Sequence, residues 1–178
     1  AESLEQVVEE CDCLVVLSPD NPERHEELCD LPLRSGKPVY VDKTFSPDLA
    51  TAKRLFVKAE QHGTPMYSCS ALRYVESLEQ AVQELAGQRV DFVATRGPGK
   101  WEVYAVHQFE PMVMLLGTGA GRVMSVGNAS AYSLVIGYPD GRRGSLLLTP
   151  QHPFGFSVQV GGRTVTLTSS DATRLLLT

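Results

Sequence analysis

The sequence predicts an α/β protein in two parts: a parallel sheet with interleaved helices, or a piece of one, over residues 1–70, and an α+β domain with a mainly antiparallel open sheet over residues 71–178. Three observations carry this expectation. Amphipathic helical stretches alternate with short β-branched strands in the first part, and hairpin turns separate short apolar runs in the last third. Of the 178 residues, 43% are hydrophobic, enough to build a core for each part.

The elements follow in order. SLEQVVEE at 3–10 has helical spacing and leads to the strand CLVVL at 13–17. ERHEELCDLPLRS at 23–35 leads in the same way to PVYV at 38–41, and PDLATAKRLFVKAEQHG at 47–63 to PMYSC at 65–69. Strands that recur at about 25-residue intervals suit right-handed crossovers, and hence parallel strands with helices on both faces. Beyond residue 70, SLEQAVQELAG is a helix stopped by Gly87, RVDFVAT at 89–95 is a strand, and a helix over residues 102–116 stops at Gly117. From Arg122 the rhythm is strand, turn, strand. PDGR at 139–142 joins YSLVIGY to GSLLLTP, and Gly161-Gly162 joins FSVQV to RTVTLT.

Charge and composition narrow the function. The net charge is −5 and no basic run gathers the 16 Lys and Arg residues, which speaks against nucleic acid as a partner. No apolar segment approaches the roughly 18 residues of a membrane span, and AESLEQVVEE is an acidic helix rather than a leader. A cytoplasmic protein that handles small molecules is expected. Cys11, Cys13, Cys29 and Cys69 have no zinc-site spacing and read as buried free thiols, with no metal implied. GTGAGR at 117–122 has Arg122 where a dinucleotide fingerprint needs its third glycine, and GPGK at 97–100 lacks the remaining phosphate-loop spacing, so neither is a phosphate site.

In open α/β sheets ligands bind beyond the carboxyl ends of the strands, so the turns to search are SPDN at 18–21, DKTF at 42–45 and the residues after Cys69. Lys43 stands on that rim. Its ammonium can donate hydrogen bonds to a ribose or substrate hydroxyl and can stabilise a developing alkoxide where water is excluded; a solvated loop lysine is the plainer alternative.

SPDNPERHEEL at 18–28, followed by SGKPVYVDKTFS at 35–46, and GPGKWEVYAVHQFEPMVMLLG at 97–117 resemble segments of the glucose-fructose oxidoreductase, inositol dehydrogenase and rhizopine catabolism protein (Gfo/Idh/MocA) family. They stand in the same order and at about the same separation, and the resemblance covers nearly the whole chain. It implies an incomplete Rossmann-like nucleotide-binding domain followed by a substrate and oligomerisation domain. The implied activity is an NAD- or NADP-dependent oxidoreductase acting on a hydroxyl of a sugar, cyclitol or related polyol, assembled as a homo-oligomer through the C-terminal sheet. Ser18, Pro19, Asp20, His25, Asp42 and Lys43 are then placed beside the cofactor. Lys43 matches the catalytic-site lysine, His107 the general acid and base on the substrate hydroxyl, and Arg73 an arginine placed at the substrate.

The departures matter as much. Asp42 stands for glutamate, Thr44 for proline, and Val103 for the aspartate that in such members lies one helical turn before the histidine. Glu102 is about 140° around the helix from His107 and cannot substitute, whereas Tyr104, three residues before it, faces it and is a candidate helper. The family's first strand and glycine-rich turn would precede Ala1, by roughly 60–80 residues at about 25 per βα unit. Two other functions fit the same resemblance: an NAD-dependent glycosidase that works by transient oxidation and elimination, and a non-catalytic nucleotide or sugar sensor.

Overall fold

The computed structural model describes residues 1–128, 130–152 and 156–167. The chain divides into two compact units, Ala1–Cys69 and Ser70–Thr178.

The first unit contains α1 (Leu4–Glu10), β1 (Leu14–Val16), α2 (His25–Leu28), α3 (Asp30–Arg34), β2 (Val39–Val41), α4 (Leu49–Gln61) and β3 (Met66–Tyr67). The strands pair in the order β1-β2-β3, all parallel, with Leu14 opposite Val39 and Val39 opposite Met66. Strand alternation sends Leu14, Val16, Val39 and Val41 to one face, where they pack with Cys29, Leu33, Leu55 and Ala59 from the helices. Val15 and Tyr67 lie exposed on the other face. The expectation of helices on both faces is therefore corrected: those of this unit bury one. β-branched and aromatic residues occupy both sides of these strands, so alternation alone could not reveal it.

The single helix expected over 23–35 is also corrected. A 3-10 turn at Pro22–Arg24 runs into α2, which ends at Leu28 before α3 begins at Asp30. Pro32 has no N–H to donate to the Leu28 carbonyl, so the ladder breaks there. α4 is the regular one. The Asp48 carboxylate accepts from Thr51 N–H at its start. At its end Gly63 takes φ 62° and Thr64 N–H reaches back to Ala59 O. Lys37 fastens α1: its ammonium donates to the carbonyls of Val8, Glu9 and Cys11 at 2.6–2.9 Å. Only Cys29 and Cys69 are buried; Cys11 and Cys13, expected inside, are exposed because they fall in the short connection from α1 to β1.

The second unit opens with a 3-10 turn at Ala71–Tyr74 and continues through α5 (Glu76–Glu84), β4 (Phe92–Gly97), α6 (Trp101–Tyr104), α7 (Val106–Leu116), β5 (Arg122–Asn128), β6 (Ala131–Gly137), β7 (Arg143–Leu148), β8 (Phe156–Val160) and β9 (Arg163–Leu167). Thr168, at the end of the last expected strand, lies outside the described residues. The sheet order is β5-β6-β7-β4-β8-β9, antiparallel at every pairing except β4 with β7. The hairpins β6–β7 and β8–β9 close at the turns that their sequence predicts. Leu78 and Ala81 of α5 and Met112 and Leu116 of α7 cover one face, against Val93, Leu134, Ile136, Leu146, Leu148, Val158 and Val160. Phe92, Met124, Val126, Val135 and Leu147 on the opposite face are exposed.

The helix expected over 102–116 is two elements, α6 and α7, that meet at Ala105. Near the junction the bonding tightens, Gln108 N–H donating to Ala105 O, and Pro111 removes the donor that His107 O would otherwise receive. No helix among the described residues is long and apolar enough to cross a membrane.

Candidate functional site

The carboxyl ends of β1 and β2 carry the first group of residues. Ser18 to Asn21 form a turn closed by Asn21 N–H donating to Ser18 O, with Pro19 at its second position and Asp20 at φ 57° at its third. Proline followed by a positive φ is the type II pattern, and aspartate is among the few side chains that tolerate it. The turn presents the Asp20 carboxylate beside the next strand's end, where Lys43 Nζ donates to it at 3.3 Å. The Lys43 side chain keeps 22% of its exposure and Asp20 keeps 61%, so this pair orients the amine more than it stabilises the fold. Asp42 follows β2 and ties the two strand ends together, its N–H donating to Val16 O. The Lys43–Thr44 peptide is cis.

His25, at the start of α2, is fully buried. Its Nδ1 lies 3.0 Å from the Phe45 carbonyl, an acceptor, so Nδ1 carries the hydrogen. Nε2 is left as a buried acceptor without a hydrogen-bonding partner among the described residues. Tyr40 lies under the same strand end; its hydroxyl donates to Cys69 O at 2.9 Å, and burial, with smaller contributions from neighbouring groups, pushes it up to about 12.

The second unit assembles a different cluster. His107, in the first turn of α7, places Nδ1 2.6 Å from the hydroxyl oxygen of Ser70, a fully buried residue at the start of the unit. Ser70 is held in turn from two sides. Its hydroxyl accepts from Leu72 N–H at 3.1 Å, capping the 3-10 turn, and its own N–H donates to Glu110 Oε1 at 3.2 Å. Glu110 Oε2 accepts from Arg73 at 2.9 Å. The Tyr104 ring stands edge-on to the imidazole with centroids 5.8 Å apart. Glu102 is exposed, and Val103 supplies no carboxylate.

The structure thus places Ser18, Pro19, Asp20, Asp42 and Lys43 along one rim of the first unit, with His25 in its interior. In the second unit Tyr104 and His107 come together, and Arg73 is turned onto Glu110. Sequence reasoning missed Ser70 and Glu110. Glu110 lies three residues after His107, on the same helical face, and Ser70 follows Cys69 directly, in a stretch already marked by strand-end position. Among the described residues no group of three or more His, Cys, Asp or Glu side chains could hold a metal ion.

No protein-family profile matches the sequence, and no curated protein matches it. Solved structures do match its fold. A Desulfitobacterium hafniense protein assigned as an NADPH-dependent oxidoreductase aligns with TM-score 0.82 at 19% identity, over 91% of this chain and 56% of its own. The WlbA dehydrogenase of Thermus thermophilus, solved with NAD and α-ketoglutarate, aligns at 0.77 and 18%, over 98% of this chain and 69% of its own. The UDP-N-acetylglucosamine 3-dehydrogenase GnnA of Acidithiobacillus ferrooxidans aligns at 0.77 and 12%, over 96% and 62%. The chain spans a little over half the length of the first of these structures and shares the fold of all three.

Proposed function

We propose that this chain is the body of a nicotinamide-dependent oxidoreductase that acts on a hydroxyl of a sugar, cyclitol or related polyol, with NAD or NADP as the hydride carrier. The observation that carries the reading is the Lys43 amine, held by Asp20 at the carboxyl edge of a parallel sheet, on a fold shared with sugar dehydrogenases. The rim residues suit a nucleotide: Lys43 offers donors, and Asp20 and Asp42 offer acceptors for ribose hydroxyls, while His25, fully buried, supports the strand end through its bond to the Phe45 carbonyl. When bound, the nicotinamide takes or gives the hydride. In this reading Lys43 offsets charge that develops on a substrate oxygen, His107 serves as general acid and base, and Tyr104 is its helper. The open face of the six-stranded sheet, with Met124, Val126 and Leu147 exposed, suits a homo-oligomer interface.

Titration with NAD and NADP, followed by assay of reduced nicotinamide against a panel of sugars, polyols and nucleotide sugars, tests the reading. Saturable cofactor binding and turnover are expected when the chain is joined to the glycine-rich segment that the resemblance implies, with Lys43→Met and His107→Ala each lowering turnover by about 10²–10⁴-fold; the chain alone is expected to bind nicotinamide dinucleotide weakly. No binding of either cofactor by the polypeptide that carries that segment would overturn it. A sensor is the second reading, favoured by Val103, which stands where the resembled family carries an aspartate. It predicts cofactor binding without net turnover on any member of the panel. A glycosidase of this kind would instead cleave a glycoside without net NADH.

A further inference from the structure

Three strands of the larger sheet meet in one row at the margin of its open face. Arg122 of β5 is paired with Gly137 of β6, and Gly137 in turn with Arg143 of β7. Residues directly opposite one another share a face of the sheet, and this is the face of Met124, Val135 and Leu147, away from α5 and α7. The two arginine Cα atoms are thus about 10 Å apart with no side chain between them. The row lies at the end of the sheet next to the β6–β7 turn, two rows from Val126 and Leu147. With Gly121, Val135 and Pro139, these three residues line a cleft of about 560 Å³.

Two features of the row have no explanation in the fold. Every other arginine among the described residues gives its guanidinium to a carboxylate or a hydroxyl. Arg122 and Arg143 are exposed and have no such partner among the described residues, although like charges on neighbouring strands repel. The second feature is Gly137 itself. It is outside the positive-φ region that favours glycine, and a Cβ added to it would meet only Arg122 Cβ, at an ordinary 3.8 Å. Neither backbone nor packing asks for glycine there, and glycine weakens a strand unless something must approach its backbone closely.

We propose that Arg122 and Arg143 form a clamp for a phosphoryl dianion, seated over the bare backbone of Gly137. Two guanidinium charges match the charge of about −1.5 to −2 that a phosphate monoester carries near neutral pH. Each planar fork can meet two phosphate oxygens, whereas a single carboxylate brings one charge and two oxygens, enough for one fork. The chemistry recognised is a terminal phosphoryl group, as the free ion or on a phosphomonoester. The proposal rests on this row alone and not on the function proposed above.

Isothermal titration calorimetry of the chain, in a phosphate-free buffer of low ionic strength, tests it with inorganic phosphate and methyl phosphate as titrants and acetate as control. Saturable binding of one phosphate per chain is expected, with acetate weaker by about tenfold or more. Arg122→Gln and Arg143→Gln should each weaken phosphate binding by about tenfold or more, the loss that a hydrogen bond to a charged group implies. Gly137→Val puts a branched side chain between the two guanidinium groups and should weaken binding to a similar degree with both arginines still present. Thermal melts check that this variant is folded; should it not fold, the two surface arginine variants decide the matter. Methyl phosphate binding as tightly as phosphate supports the clamp and assigns it to a phosphomonoester, and phosphate binding alone supports it and assigns it to the free ion. The proposal is overturned by the absence of saturable phosphate binding, by acetate binding as tightly as phosphate, or by an affinity unchanged in either arginine variant or in folded Gly137→Val.

Discussion

Single residues hold the candidate site in place through contacts that leave little slack. Gly99 takes φ 103°, and a Cβ added there would run into the Tyr104 ring. Gly99→Ala therefore has two costs, a strained backbone and displacement of the ring that stands beside His107. It should perturb the His107 ring signals in a 1H–15N correlation spectrum of imidazole-labelled protein while the strands keep their amide shifts; unchanged His107 signals would show that Tyr104 does not orient the imidazole. Lys37 acts on stability instead. Its three donors meet three carbonyls at the end of α1, where helical carbonyls lack partners of their own. Lys37→Met keeps the apolar stem and removes those bonds. A loss of about 1–3 kcal/mol, read by urea unfolding of the first unit, is expected.

At the scale of elements, the packing of α7 onto the sheet decides whether His107 is positioned at all. Gly144 of β7 lies under Met112 of α7, and a Cβ there would strike the Met112 sulfur. Gly144→Ala overpacks this contact by one methyl and should destabilise the second unit by about 1–3 kcal/mol. Because Met112 is the flexible partner, Gly144→Ala combined with Met112→Ala should lose less than the sum of the two single losses, and thermal melts of the two single variants and the double variant check this. The first unit uses charge to join its helices: Asp30 of α3 pairs with Lys58 of α4 and with Arg34, and Glu26 of α2 with Arg54 of α4. These hydrogen bonds hold both carboxyls below the usual range, Lys58 leading at Asp30 and Arg54 at Glu26. Such exposed pairs contribute little each, and added salt should weaken them slightly.

For the molecule as a whole, the alkaline side of the stability profile is the more informative. Burial pushes the Cys29 thiol from an ordinary value near 9.0 up to about 12, and the Tyr40 phenol rises from 10.0 to about 12 for the same leading reason. Both groups hold their protons more tightly folded than unfolded. The stability linked to them is complete below pH 9 and drains away as pH rises from there to about 12. Thermal melts across that window should show a falling midpoint, and Cys29→Ala should flatten the early part of the fall; a midpoint independent of pH would contradict the burial of both groups. The exposed apolar face of the larger sheet belongs to this scale too. Val126→Lys with Met124→Lys is expected to lower the mass seen by light scattering if that face joins subunits. By itself the sequence determined the alternation of helix and strand, the parallel and antiparallel halves, both glycine-containing hairpins, and the strand-end location of Lys43, because these follow from local periodicity and turn chemistry. Only the tertiary structure decided that Pro32 splits one expected helix, that one face of the first sheet is covered, and that Ser70 meets His107. The physical reason is separation along the chain: Ser70 and His107 stand 37 residues apart, and no local pattern encodes a hydrogen bond that exists only once a 3-10 turn and a distant helix have packed together.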